Sequence, residues 1–167
     1  MDPTLIKPFI SSIQNVFSTM LQLQVGINDP YVKTNNVSND VSGIIGMSGD
    51  VVGTVVLGFP TSTAENCVAL FVGQKIDPTT ADFADAIGEL INMVCGGAKA
   101  MFKNRKASIS CPSVVMGSQH VLARQSEAAT IVIPCQTDCG PFTIEITIKA
   151  MSPVASETTT PASTAAN

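Results

Sequence analysis

The sequence predicts an α+β domain: an antiparallel sheet with two long helices packed on one face. Two observations carry that prediction and a third supports it. Helix-like and strand-like segments come in groups, in the order helix, strands, two helices, strands. Neighbouring strand segments read as hairpins rather than as crossover units. A long helix followed by strands also occurs twice, a weak twofold echo.

Each element has its own signal. Asp2 followed by Pro3 starts a helix, because a capping carboxylate accepts orphan amides and proline fits the first turn. Ile6, Phe9, Ile10, Ile13, Phe17, Met20 and Leu21 then recur at three- and four-residue intervals, predicting an amphipathic helix of about five turns. Residues 25–33 read as a first strand. "VSGIIGMSGDVVGTVVLGF" follows, two β-branched runs meeting at Gly49-Asp50, which suits a tight primed hairpin turn. Its second arm is nearly all apolar and is expected at the centre of the sheet. Ser62 and Glu65 make a capping box ahead of "AENCVALFVG", a short helix that Gly73 ends. Thr79 with Asp82 starts the long central helix in the same way. "SISCPSVVMG", "HVLARQ", "ATIVIPCQ" and "PFTIEITIKAM" complete the sheet. In the last, Phe142, Ile144, Ile146 and Ile148 alternate with Thr143, Glu145, Thr147 and Lys149, so one face is apolar and the other wet.

These elements make one domain over residues 1–151. The remainder, 152–167, is Ser/Thr/Ala/Pro-rich without periodicity and is expected to be disordered. Apolar residues make up 45% of the chain and charged residues 13%, so burial over the domain is substantial. The net charge is −4, and nine scattered Lys and Arg give no basic patch for nucleic acid or an acidic membrane surface. "MDPTLIKPFISSIQNVF" does not read as a signal peptide, and no run approaches the roughly 18 apolar residues of a membrane span. A cytoplasmic protein without membrane insertion is expected. Cys67, Cys95, Cys111, Cys135 and Cys139 are odd in number and lie mostly in apolar strings, so all five read as packing thiols. "CQTDC" lacks thioredoxin spacing, and no second Cys/His pair completes a zinc site. His120 reads as structural or surface.

The central helix, "DAIGELINMVCGGAKAMF", is the stretch with chemistry in it. On a wheel of about 100° per residue, Phe83, Ile87, Leu90, Ile91, Val94, Ala98, Met101 and Phe102 form the core face. Asp85, Glu89, Asn92, Gly96 and Lys99 lie opposite. Glu89 and Asn92 are one turn apart on one line, so both can reach a single external target. Asn is a poor mid-helix residue, and glycine there costs about 1 kcal/mol relative to alanine, yet Gly96 and Gly97 stand together. An idle surface gives no reason for either.

"ADAIGELINMVCGGAK" resembles the active-site helix of the CheC/CheX/FliY phosphatases of bacterial chemotaxis, an Asp or Ser, then Glu-x-x-Asn, then a glycine. Asp85, Glu89, Asn92 and Gly96 match position for position. "VSGIIGMSGDVVGTVVLGFP" is similar to the hairpin before that helix, and "ASISCPSVVMG" to the segment after it. The resemblance spans roughly residues 1–150. CheC-like relatives carry the motif twice, but here Ser12 precedes Asn15 where a Glu would stand, so the first site is missing and a CheX-like member is implied.

The resemblance implies a pseudo-twofold CheC-like fold and a phosphatase acting on the aspartyl phosphate of a CheY-like response regulator. Asn92 would orient the attacking water and Glu89 would dock on the regulator's active-site lysine. Asp85, Gly96 and Lys99 would contact the partner. The chain would bind no cofactor itself, Mg²⁺ being held by the regulator. The alternative is a non-catalytic module that docks a regulator, as in related flagellar switch proteins; the intact Glu89 and Asn92 favour the enzyme. The resemblance also implies a homodimer joined through the sheets. "ATIVIPCQ", an uncharged β-branched run marked by Pro134 as an edge strand, is the expected seam.

Overall fold

In the computed structural model, which describes residues 3–34, 38–122 and 128–151, helix α1 spans Pro3–Val16 and runs into one π-helical turn, Phe17–Leu21. The cap expected at Asp2 and the tail expected from Ser152 lie outside the described residues. Phe9, Ile13 and Phe17 are fully buried, as their spacing requires. The single strand expected over 25–33 is instead two short ones, β1 (Gly26–Ile27) and β2 (Tyr31–Val32). Pro30 between them has no N–H for a ladder, and Asn28 N donates to the Pro134 carbonyl at 2.9 Å.

Strands β3 (Ser38–Gly49) and β4 (Val51–Phe59) form the expected hairpin, paired from Val41–Phe59 to Met47–Gly53. No tight primed turn closes it. Beyond Met47 the arms part, Gly49 pairing with Ala107 and Val51 with Ala150. Asp50 holds this splayed corner: its carboxylate accepts from Lys106 N at 2.7 Å and its amide donates to the Lys106 carbonyl at 2.8 Å.

Helix α2 spans Thr61–Val72 and α3 Ala81–Ala100. The Ser62–Glu65 box does not start α2. Asp40 of β3 does, accepting from Thr61 N at 2.9 Å and Thr61 Oγ1 at 3.1 Å, and also from Gln119 N at 2.9 Å. The Gln119 and Thr61 amides hold the Asp40 carboxyl below the ordinary range. Gly73 ends α2 at φ +84°, as expected. The cap of α3 is Thr80, one residue beyond the expected Thr79: its Oγ1 accepts from Phe83 N at 3.4 Å, while Thr79 Oγ1 donates to Asp77.

The remaining strands are β5 (Ala107–Ile109), β6 (Ser113–Val121), β7 (Ile131–Thr137) and β8 (Gly140–Ala150). "HVLARQ" is not a strand of its own; His120 and Val121 end β6, and 123–125 lie outside the described residues. Every pairing is antiparallel. The order is β1-β7-β8-β4-β3-β5, with β2 also on β7 and β6 also on β3, so the apolar β4 is interior as expected. The helices cover the face carrying Phe142, Ile144, Ile146 and Ile148, where Phe17 stacks on Phe142 at 4.9 Å.

Two expectations about the sheet need correction. The face carrying Thr143, Glu145 and Thr147 is not simply wet: Glu145 is only 4% exposed and accepts from Lys33 Nζ at 2.7 Å. Thr130 and Thr147 share a 2.7 Å bond beside it. Second, β7 is not an edge. It lies between β8 and the β1/β2 pair, so "ATIVIPCQ" has no free side to offer a second subunit. Pro134 is tolerated because its carbonyl, and hence its missing N–H, faces the gap between β1 and β2.

Candidate functional site

Helix α3 is held on three sides. Against the sheet, Gly43 of β3 admits the helix so closely that a Cβ there would lie 3.0 Å from Ile91 Cγ2. Toward the β5–β6 link, a Cβ at Gly88 would lie 3.3 Å from the Pro112 ring. Toward α1, Ser12 Oγ donates to the Val94 carbonyl at 2.7 Å and sits where a Cβ on Gly97 would fall. Phe83, Ile87, Leu90, Ile91, Val94, Ala98 and Phe102 are buried as the wheel predicts, but Met101 caps the helix end and is 42% exposed.

The opposite face carries all five predicted site residues. Asp85, Glu89 and Lys99 are exposed, and Asn92 and Gly96 are half-buried. None of the Asp85, Glu89, Asn92 and Lys99 side chains makes a hydrogen bond or ion pair within the described residues. A polar row on a rigid helix with no internal partner is free to meet an external one. Asp82 in the first turn and Lys99 in the last both suit the helix dipole.

The two neighbouring glycines separate cleanly. Gly97 is a packing residue, required by Ser12. Gly96 has no such reason, since a Cβ there would meet nothing within 4 Å. Of the pair, only Gly96 is left for a functional explanation. Position 12 also accounts for the missing first motif: Ser12 is 1% exposed against α3, where a glutamate would be a buried charge.

Sequence reasoning missed Pro112 and Val114. With Ala84, Asp85, Gly88 and Glu89 they line a cleft of about 470 Å³ beside the motif. The match of "ASISCPSVVMG" was the only signal for that segment, and linear distance gave no reason to join it to Glu89. Cys111, next to Pro112, is exposed and not a packing residue as expected. Cys67, Cys95 and Cys135 are buried, and burial pushes each thiol up to about 12. His120 lies away from α3, its Nε2 2.8 Å from Ser42 Oγ and its Nδ1 2.8 Å from the Gly117 carbonyl. Among the described residues no group of three or more His, Cys, Asp or Glu could hold a metal ion. No helix among them is long and apolar enough to cross a membrane.

Residues 41–136, which include the whole of α3 and the Pro112 segment, match the family model of the chemotaxis phosphatase CheX. The chain belongs to the CheX family. Solved structures agree with the assignment. A CheX chemotaxis protein from Desulfovibrio desulfuricans is 33% identical, with a TM-score of 0.81 over 88% of this chain and 99% of that one. CheX from Vibrio vulnificus is 30% identical, with a TM-score of 0.81 over 87% and 99%. The CheX of Borrelia burgdorferi, solved as a complex with CheY, BeF3 and Mg²⁺, shares the fold at 20% identity, with a TM-score of 0.75 over 86% and 97%. No curated protein matches the chain. Within this CheX domain the family's Glu-x-x-Asn stands on the outer face of a helix braced from three sides.

Proposed function

We propose that this CheX-family chain hydrolyses the aspartyl phosphate of a phosphorylated CheY-like response regulator. The observation that carries the reading is the pair Glu89 and Asn92, one turn apart on the outward face of α3 and without partners among the described residues of their own chain. The Borrelia burgdorferi relative, solved with CheY, supports the choice of partner.

An aspartyl phosphate is a mixed anhydride, and its hydrolysis needs a water held in line with the bond to the aspartyl oxygen. The water oxygen bonds to phosphorus, the bond to the aspartyl oxygen breaks, and inorganic phosphate leaves with the carboxylate restored. An inserted amide can hold that water, because its carbonyl accepts from the water while its NH₂ donates to a neighbouring acceptor. Asn92 takes that role. Glu89 pairs with the regulator's active-site lysine and sets the register of the helix. Asp85 and Lys99 flank this contact, and Gly96 lets the partner backbone approach. Mg²⁺ belongs to the regulator, where it neutralises charge on the transferring phosphoryl group.

Phosphate release from a labelled regulator tests the assignment. Asn92→Ala is expected to abolish the accelerated release and leave binding of the phosphoregulator largely intact. Glu89→Ala is expected to weaken binding and lose activity with it. Wild-type turnover by Asn92→Ala would overturn the water-positioning role. Binding without any acceleration by the wild type would leave a docking module instead.

A further inference from the structure

A second cleft, of about 510 Å³, opens where the start of α1 meets the end of α3. Its floor is apolar, from Leu5, Pro8, Met101 and Phe102. Its rim carries Lys7, Lys103 and Arg105, and no acidic residue lines it. These cations are unneutralised, for the only ion pair among the described residues is Lys33–Glu145. That is unusual placement in a chain of net charge −4 with nine basic residues, four of which fall between Lys99 and Lys106.

The cleft continues the polar face of α3. A 20-residue helix is about 30 Å long, the diameter of a small domain, so a domain-sized partner seated over Asn92 covers both ends. Those ends differ in sign. Asp82, Asp85 and Glu89 make the first half acidic, Asn92 and Gly96 are neutral, and Lys99 opens the basic end about 15 Å from Glu89.

We propose that this groove is a second docking contact for the phosphoregulator, taking an acidic segment that also presents an apolar side chain. The inference rests on the function proposed above. The cations on the rim select carboxylates, and the floor rewards burial of an aliphatic or aromatic group between them. With a lysine over Glu89 and carboxylates over Lys7 and Lys103, the partner's charge polarity opposes that of α3. Only one orientation of the regulator satisfies both ends, and a reversed approach sets like charges together. The groove thereby chooses among regulators that share one active-site chemistry.

The experiment is a calorimetric titration with the regulator loaded with Mg²⁺ and BeF3, at low and at higher salt. The variants are Lys7→Glu/Lys103→Glu and, as a control elsewhere on the surface, Lys75→Glu. All three positions are exposed, and a circular dichroism melt checks folding. The double variant is expected to raise Kd about tenfold at low salt and to flatten the salt dependence. The control is expected to leave both unchanged. Equal Kd and equal salt dependence for the double variant and wild type would overturn the proposal, as would an equal loss in the control. Asn92→Ala separates the two readings: if it abolishes hydrolysis while the double variant binds normally, the groove is wrong and the phosphatase stands. If the double variant loses binding while Asn92→Ala turns over normally, the docking contact stands and the mechanism falls.

Discussion

Alanine at Gly96 and alanine at Gly97 should have opposite effects on stability, although the residues are adjacent in one helix. At Gly96 a Cβ enters open space, so the only folded-state change is helix propensity, worth about 0.5–1 kcal/mol in favour of alanine. With a urea slope of about 2 kcal/mol/M, expected for a domain of this size, the midpoint rises by about 0.3–0.5 M. At Gly97 the same gain is opposed. The new Cβ falls on Ser12 Oγ, which must turn away and give up its 2.7 Å bond to the Val94 carbonyl. An unpaired buried hydroxyl costs about 1–3 kcal/mol, so the net change is a loss of up to about 2 kcal/mol. Removing the hydroxyl reverses the sign: in a Ser12→Ala background the Ser12 Cβ at 3.4 Å is ordinary contact, and Gly97→Ala should stabilise. Activity separates the two positions further. Gly96→Ala should lower phosphate release about tenfold or more while raising stability, because a methyl on the docking face displaces the water-positioning amide. Urea unfolding followed by circular dichroism, with phosphate release on the same samples, reads both quantities. If Gly96→Ala destabilises, or turns over at the wild-type rate, the assignment of Gly96 to partner approach is refuted.

Other expectations concern Asp40 and assembly. Asp40 joins β3, the start of α2 and the Gln119 amide through its carboxylate, so Asp40→Ala should lower the melting temperature more than Glu65→Ala, which removes the unused half of the capping box. Its folded pKa is depressed, so its stabilisation is present above the unfolded carboxylate value of about 3.9 and is lost as pH falls through the folded one. An acid titration of unfolding in which Asp40→Ala parallels wild type below pH about 4 would contradict that role. A homodimer joined through the sheets, if formed, should use β6, which pairs with β3 on one side and exposes Met116 and Val121. Sedimentation equilibrium giving only a 17.4 kDa species at micromolar concentration would exclude it.

The fold class and the candidate face of α3 could be read from the chain because both depend on local periodicity. Apolar residues every three or four positions locate α1 and α3, alternation locates β8, and the same 3.6-residue period that buries Ile87, Leu90 and Ile91 turns Glu89 and Asn92 outward. What the chain could not reveal are effects of distant partners. Ser62 and Glu65 carry the local grammar of a cap, yet Asp40, some twenty residues earlier, occupies the role because the β3 strand ends beside Thr61. Glu145 has the alternation of a solvent-facing residue, but Lys33 crosses the sheet to pair with it. Pro134 has the mark of an edge, and only the break between β1 and β2 explains how β7 can be interior. Gly96 and Gly97 are indistinguishable in the sequence. Tertiary structure alone decides that one is fixed by Ser12 and the other is open, because steric need is set by what packs across the helix and not by neighbours along it.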